Sequence, residues 1–174
     1  AGIGALSEAV RTGNVDRAFA ALRSDQVRHV NTAAPDWERA FEHEVLGGYL
    51  PFLRAGPPAD RLAALDRFRV LCAHRTGRFG VSALNQRIER ILENEGLIHP
   101  HGNTWARRPV MVTTNSYRTG LFNGDVGVMV PDSARADAFR VWFPGDEDDA
   151  PRPFSTARLP PHETVFATTV HKSQ

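Results

Sequence analysis

Apolar residues recur at the spacing of amphipathic helices through much of the first half of the chain. The pattern predicts one helix from Ile3 to Arg11 and a second from Val15 to Leu22. Asp36 can cap the helix that follows, and Pro57-Pro58 opens a further one. A longer helix is predicted from Val81 to Asn94, with its leucine and isoleucine side chains facing inward.

Two apolar runs without polar alternation interrupt this helical pattern. Phe68–Ala73 and the run that begins at Thr164 are typical of short strands that are covered on both faces. A weaker run, Gln26–Val30, predicts a minor strand. Because strands of this kind alternate with helices, the sequence predicts an α/β layer.

The residues from 107 to 161 have a different pattern, in which short β-rich runs are separated by Gly, Pro, Asn and Asp. The runs are Arg108–Asn115, Val126–Val130, Phe139–Phe143 and Phe154–Leu159. This rhythm is typical of a small antiparallel barrel. Asn123-Gly124 is the strongest turn signal in the chain, and the acidic segment Pro144–Pro153 is predicted to be an exposed loop. The sequence thus predicts a small β domain inserted into an α/β domain.

Composition and charge exclude only a few classes of protein and function. With 174 residues, 41% of them hydrophobic, the chain is long enough to bury a core. Its 21 Lys and Arg nearly balance 20 Asp and Glu, so any contact with nucleic acid must come from local basic clusters. Cys72 lies in an apolar run and is expected to be a buried thiol in a reducing, cytoplasmic protein. No stretch resembles a membrane span or a signal peptide.

The end of the last predicted strand carries a group of polar residues. These are Thr169, His171, Lys172, Ser173 and Gln174. Ligands of open α/β sheets bind at the carboxyl ends of the strands, and these donors suit phosphate oxygens. An ordinary polar strand end explains the same residues equally well. The chain starts inside a helical pattern and stops just after this strand, so we expect it to be a fragment.

A basic loop with two glycines, His74–Gly80, joins the first apolar run to the long helix. A strand, such a loop and a helix in succession can direct backbone N–H groups and cations at an anion. Gly77 and Gly80 are explained as well by a turn without a ligand, with Arg75 and Arg78 solvated. On these residues alone, the turn is the preferred interpretation.

Five segments taken together resemble, in order, the carboxyl-terminal part of the RecD family, the alpha subunits of exodeoxyribonuclease V and superfamily 1B DNA helicases. The segments are Arg69–Val81, Leu84-Asn85, Arg108–Val112, Gly120–Gly127 and Thr169–Gln174. Each segment alone is a weak signal, but their order and spacing are specific. The likeness covers most of the chain and is weakest in the first thirty or so residues and in the acidic loop.

The resemblance implies the fold and the domain organisation. Residues 1–106 and 162–174 would belong to the second RecA-like motor domain, of the P-loop NTPase type. Residues 107–161 would form an inserted barrel like that of Src-homology-3 domains. The whole protein would be a 5′-to-3′ DNA helicase subunit of the exodeoxyribonuclease V helicase–nuclease complex, active in double-strand-break repair. This chain would contribute single-stranded DNA binding and half of the ATP-driven motor.

The resemblance also suggests which residues act. The candidates for contact with single-stranded DNA are Thr169, His171, Lys172, Arg75, Asn85 and Asn123, and Gln174 would border the nucleotide cleft. ATP and Mg²⁺ would serve the full-length protein. The chain has no Gly-x-x-x-x-Gly-Lys-Ser/Thr loop, so by itself it is expected neither to bind these cofactors nor to hydrolyse ATP. Its expected partners are single-stranded DNA and the other subunits of the complex.

The main alternative is a non-enzymatic interaction module in which the β barrel docks a protein. Trp142, Phe143 and Phe154 would supply apolar contact area, although such residues more often form a core. Metal binding is not indicated, because only His99 and His101 among the seven histidines are close in sequence and no acidic partner stands near them. Nuclease chemistry is equally unsupported, since Asp146–Asp149 lie in a predicted loop.

Overall fold

The computed structural model describes residues 3–23, 31–135, 138–145 and 150–170. The chain divides into two compact units, Ala1–Phe41 and Glu42–Gln174. The predicted minor strand Gln26–Val30 falls outside the described residues. No helix in the described ranges is long and apolar enough to cross a membrane.

The two helices of the first unit have the predicted bounds, α1 at Ile3–Arg11 and α2 at Val15–Leu22. Between them, Asn14 is the amino-terminal cap of α2, and its Oδ1 accepts a hydrogen bond of 3.0 Å from the Arg17 N–H. Such a cap satisfies an amide at the start of the helix that has no partner inside it. The helical spacing and the capping residue therefore define this hairpin of helices locally.

The described residues contain three further α-helices, and all three were predicted. They are α3 at Trp37–Arg54, α4 at Pro58–Asp66 and α5 at Val81–Asn94. Gly47-Gly48 does not interrupt α3, and Gly48 has a packing role there: a Cβ at this position would lie 2.3 Å from the Phe68 ring. The glycine lets an aromatic side chain approach the helix backbone.

Seven short strands occur among the described residues. They are β1 Val70–Cys72, β2 Pro109–Val112, β3 Val126–Pro131, β4 Phe139–Phe143, β5 Arg152–Ser155, β6 His162–Thr164 and β7 Ala167–Thr169. Strands β1 and β7 pair in parallel, with Val70 opposite Ala167 and Cys72 opposite Thr169. This pairing confirms an α/β arrangement, but the expectation that β1 is covered on both faces is wrong for Leu71, which is 50% exposed.

The other five strands form one antiparallel sheet in the order β5-β4-β3-β2-β6. Its core consists of side chains that are 0–1% exposed, namely Val110, Val112, Leu121, Met129, Val141 and Phe143. Gly124 has φ of +107° at the predicted Asn-Gly turn that leads into β3, where glycine avoids a steric penalty. An antiparallel sheet is present as predicted, whereas its status as a separate inserted domain and its closure into a Src-homology-3-like barrel stay predictions.

The predicted single strand that starts at Thr164 is divided between the two sheets. Strand β6 pairs with β2, with Thr164 opposite Val110, whereas β7 pairs with β1. The Val165 N–H donates to the Pro109 carbonyl at 3.1 Å, so the ladder with β2 continues past β6. The predicted domain boundaries assign His162–Thr164 to the α/β layer, and in the structure these residues pair with β2 of the antiparallel sheet. The proposed domain boundary at residues 106 and 107 stays a prediction, because both sheets lie in the second unit.

Candidate functional site

The candidate site lies at the carboxyl ends of the parallel strands β1 and β7. Thr169 ends β7 directly opposite Cys72, the last residue of β1. Arg75 lies three residues after Cys72 in the chain. Because parallel strands end at the same edge, the chain positions that follow them meet there. His171, Lys172, Ser173 and Gln174 lie outside the described residues, so their placement stays a prediction.

The loop between β1 and α5 is a tight turn whose carbonyl groups cap the helix. Gly77 has φ of +89°, and a Cβ on Gly80 would lie 2.4 Å from the Thr76 carbonyl oxygen. The Val81 N–H donates to the His74 carbonyl at 3.1 Å, and the Ser82 N–H donates to the Arg75 carbonyl at 3.4 Å. The first amides of α5 therefore have internal acceptors, which supports the interpretation of the glycines as turn residues.

The arginines of this loop lie at the surface. The Arg75 side chain is 56% exposed, and its Nη2 lies 3.3 Å from Glu163 Oε2 in β6. An ion pair with this exposure stabilises the fold very little, because water and salt screen it. Arg78 places its guanidinium 5.1 Å from the centroid of the Phe79 ring, and Phe79 is 40% exposed. Cations at this loop are thus exposed enough to meet an anionic ligand.

Asn85 faces β7 rather than solvent. Its Nδ2 donates to the Ala167 carbonyl at 2.9 Å and to the Val81 carbonyl at 3.1 Å, and its Oδ1 accepts from the Ala167 N–H at 2.9 Å. Asn85 is 8% exposed. A direct contact of its side-chain amide with DNA would break these bonds in a buried environment, where each lost partner is costly.

Tyr49 holds the same strand from α3, and its importance was not predicted. Its hydroxyl donates to the Phe166 carbonyl and lies 3.4 Å from the Val70 N–H. Its ring packs edge-on against the Phe68 and Phe166 rings, at centroid distances of 4.9 and 5.0 Å. Burial raises the pKa of the Tyr49 hydroxyl, so it remains a neutral donor. In the sequence, Tyr49 is one of several apolar and aromatic residues of the helix predicted after Asp36, and no local pattern distinguishes it from them.

The last predicted contact residue, Asn123, lies on the turn before β3 of the antiparallel sheet. Its backbone N–H donates to Asn115 Oδ1 at 2.8 Å, and the neighbouring Phe122 N–H donates to Asp125 Oδ2 at 2.7 Å. These bonds explain the Asn-Gly-Asp pattern as a turn. Asn123 is therefore associated with a different sheet from Thr169, Arg75 and Asn85.

A second concentration of positive charge surrounds a cavity of about 500 Å³ beside the antiparallel sheet. Its walls include Arg118, Arg135, Arg140 and Arg158 together with one carboxylate, Asp132. Asp132 accepts from the Ala134 N–H at 3.0 Å and from Arg140 at 2.9 Å, and these bonds lower the pKa of its carboxyl. The arginines come from three stretches of the sequence, around residues 118, 135–140 and 158, which is why no single basic cluster marked this surface in the sequence.

A buried polar junction links α5 to the antiparallel sheet. Arg108 is 6% exposed and donates to Thr164 Oγ1 at 2.9 Å and to the Asn103 carbonyl. Burial lowers the pKa of Arg108, although the negative charge of Glu89 opposes the shift. Burial also raises the pKa of the Glu89 carboxyl above its usual 4.5, against a hydrogen bond with Thr164 and the charge of Arg108.

The resemblance implies ATP and Mg²⁺ for the full-length protein, and whether this chain takes part in binding them stays a prediction. The sequence contains no Gly-x-x-x-x-Gly-Lys-Ser/Thr loop. Among the described residues, no three His, Cys, Asp or Glu side chains are placed to hold a metal ion.

The relatives that the chain matches among known proteins share one name, RecBCD enzyme subunit RecD. No profile of a known protein family matches the chain. It is 37% identical over 175 residues to the RecBCD enzyme subunit RecD of Mycolicibacterium smegmatis and 35% identical over 175 residues to that of Mycobacterium tuberculosis; each alignment covers 99% of this chain and 30% of the relative. It is 32% identical over 108 residues to the subunit of the same name from Haemophilus influenzae, which covers 61% of this chain and 15% of the relative.

These relatives confirm the resemblance that the motifs predicted. The chain corresponds along nearly its whole length to a segment of RecD subunits. It spans about 30% of the length of the two mycobacterial relatives, so it represents one part of such a protein.

Proposed function

We propose that this chain, a segment of the RecD type, contributes single-stranded DNA binding and half of the ATP-driven motor to a DNA helicase subunit. The observation that carries the proposal is the similarity to RecD over 99% of the chain. The full-length protein would act in a helicase–nuclease complex that processes double-strand breaks, with the other subunits of that complex as partners and the cytoplasm as its location.

The exposed edge beyond β1 and β7 would bind the phosphate backbone of the DNA. Arg75 presents a planar guanidinium that can donate two parallel hydrogen bonds to one phosphate. Its partner Glu163 is 34% exposed, so exchanging this ion pair for a phosphate costs little. Thr169 would add a neutral hydroxyl donor, and His171 and Lys172, which follow it in the sequence, would be further contacts with the phosphates.

The cavity lined by four arginines supports the same function. Its positive walls would attract a polyanion. Thr104, Thr119 and Ser155 also line it and carry hydroxyl groups that can donate to phosphate oxygens. The nucleic acid would then be contacted by both the antiparallel sheet and the parallel strands.

ATP and Mg²⁺ would bind the full-length protein, where they would supply the phosphoryl transfer that drives movement along DNA. The phosphate-binding loop is missing from the 174 residues, so it would come from another part of the protein. Gln174 would border the nucleotide cleft. The role of this chain would be to hold DNA and to change its grip as the cleft opens and closes.

The proposal is tested by titrating fluorescent oligothymidine into the intact protein at several salt concentrations. Replacing Arg75 with Ala should weaken binding and lower the magnitude of the slope of log K against log salt by roughly 0.7, the value for one phosphate on a single strand. Arg90, an exposed arginine of α5, serves as the matched control, and Arg90→Ala should leave the slope unchanged. Failure of the wild-type protein to bind DNA, with its partner subunits still captured, would favour the interaction module instead.

A further inference from the structure

We propose that Asn85 is a positioning residue that holds the loop after β1 and the end of β7 in one fixed arrangement for binding DNA. The inference rests on the proposed function, and it replaces the predicted direct contact between Asn85 and DNA. Asn85 would thus act on the ligand through the backbone of β7 and through the loop that precedes α5.

Asn85 binds the edge of β7 that faces away from β1. The Phe166 carbonyl faces β1, because it accepts a hydrogen bond from the Val70 N–H. Successive residues of a strand direct their peptide groups to alternate sides, so the N–H and C=O of Ala167 face away from β1. Asn85 bonds to both of these groups, at 2.9 Å each. Its side-chain amide therefore takes the place that the peptide group of a neighbouring strand would occupy.

Asn85 is also connected to the loop between β1 and α5. Nδ2 of Asn85 also donates to the Val81 carbonyl, and the Val81 N–H donates to the His74 carbonyl at 3.1 Å. These hydrogen bonds connect His74, at the start of the loop, with Ala167, two residues before Thr169. The two segments that carry the candidate DNA contacts are thereby linked through one buried side chain.

The consequence is that removal of Asn85 should disturb both contact segments without removing an ionic contact. A variant that cannot form the three hydrogen bonds leaves the Ala167 peptide without partners on that side, and β7 can shift. Arg75 and Thr169 would then meet the phosphates in a less favourable geometry. Because the lost side chain is neutral, the number of cations that neutralise phosphates stays the same.

The test uses the intact protein with Asn85→Leu, which has similar volume and no hydrogen-bonding group. Gln86→Leu is the matched control, since Gln86 is the adjacent amide on α5 and is exposed. We expect Asn85→Leu to weaken binding of oligothymidine about tenfold, as for loss of a buried hydrogen-bonded group, with an unchanged salt slope. Gln86→Leu should bind as the wild type does. Stoichiometric titration gives the active fraction, so partial unfolding is not mistaken for weaker binding.

A double-mutant cycle separates positioning from direct contact. If Asn85 acts by holding the loop, Asn85→Leu should weaken binding less in an Arg75→Ala background than in the wild type. Additive losses would overturn the proposal, and so would an Asn85→Leu variant that binds as tightly as Gln86→Leu. Wild-type protein that does not bind DNA at all would instead overturn the proposed function.

A second variant keeps the proposal testable if Asn85→Leu does not fold. Tyr49→Phe removes one hydroxyl that holds Phe166 and the Val70 N–H, and it keeps the ring that packs between Phe68 and Phe166. It should weaken DNA binding with an unchanged salt slope, and its loss should also be smaller in the Arg75→Ala background. Unchanged affinity in Tyr49→Phe would contradict the idea that the position of β7 determines the grip on DNA.

Discussion

The two sheets of this chain are held together in different ways. The antiparallel sheet has five strands and a continuous core of six side chains that are 0–1% exposed. The parallel pair β1 and β7 has three residues in each strand and an exposed Leu71 on one face. Two buried polar side chains, Tyr49 and Asn85, hydrogen-bond to Phe166 and Ala167 at the start of β7, beside apolar residues that are also buried.

The difference shows where stability and function separate. Truncating a side chain in a close-packed apolar core leaves a cavity, whereas losing the Asn85 side chain leaves buried backbone groups of β7 without a hydrogen-bond partner. The candidate DNA contacts follow the short parallel strands. We therefore expect substitutions in the antiparallel core to change the stability of the fold, and substitutions around the parallel pair to change DNA binding more than stability.

The largest expected effect on stability is in the antiparallel core. Phe143 is 1% exposed and packs edge-on against Phe154 at a centroid distance of 5.6 Å. Phe143→Ala should lower the free energy of unfolding by about 3–5 kcal/mol, because a large side chain leaves a cavity. Phe122→Ala is the control, since Phe122 is 45% exposed and should matter much less. Equal losses in denaturant unfolding would show that this sheet is not held by its core.

A smaller effect is expected in the loop beside the parallel pair. At Gly80, a Cβ would lie 2.4 Å from the Thr76 carbonyl oxygen and 2.5 Å from its carbon, and backbone atoms cannot move aside easily. Gly80→Ala should therefore cost roughly 1–3 kcal/mol of stability, as for an overpacked site. Gly56→Ala is the matched control, because nothing lies within 4 Å of its Cβ position. A thermal midpoint as high in Gly80→Ala as in Gly56→Ala would contradict the packing of this loop.

The smallest expected effect on stability is at the buried polar junction of Glu89, Arg108 and Thr164, which links α5 to the antiparallel sheet. The folded-state pKa of Glu89 is raised, so its protonated form stabilises the fold below about 4.5, and this contribution is lost as pH rises through the raised pKa. Glu89→Gln does not titrate. As pH rises above the usual carboxyl range, the free energy of unfolding of the wild type should therefore fall relative to that of Glu89→Gln. A difference that stays constant with pH would show that Glu89 is not desolvated.

The sequence predicted the local elements well and the long-range ones less well. The bounds of α1, α2 and α5 follow from helical spacing and nearby caps or glycines, which are local signals. The division of the run after Thr164 between two sheets depends on its partners β2 and β1, which lie far away in sequence. No local pattern marks the point at which a strand changes sheets.

The candidate site shows the same limit at the level of single residues. Thr169 was predicted from the strand end and from the resemblance, and Arg75 and Asn85 from the resemblance. The sequence did not predict that the Asn85 side chain bonds to Ala167, 82 residues later in the chain. A polar residue on a helix does not reveal from sequence alone whether it faces water or a strand. The four arginines of the cavity were missed for a related reason, because they come together only in the folded chain.

The most direct test of the central claim is photo-crosslinking of 4-thiothymidine oligonucleotides to the intact protein, followed by mass spectrometry of the linked peptides. If the edge beyond the parallel strands holds single-stranded DNA, crosslinks should map to the peptides that contain residues 74–80 and 164–174. Excess unmodified oligothymidine should abolish them. Crosslinks confined to other parts of the protein, with these two peptides recovered unmodified, would contradict the proposal that this edge binds DNA.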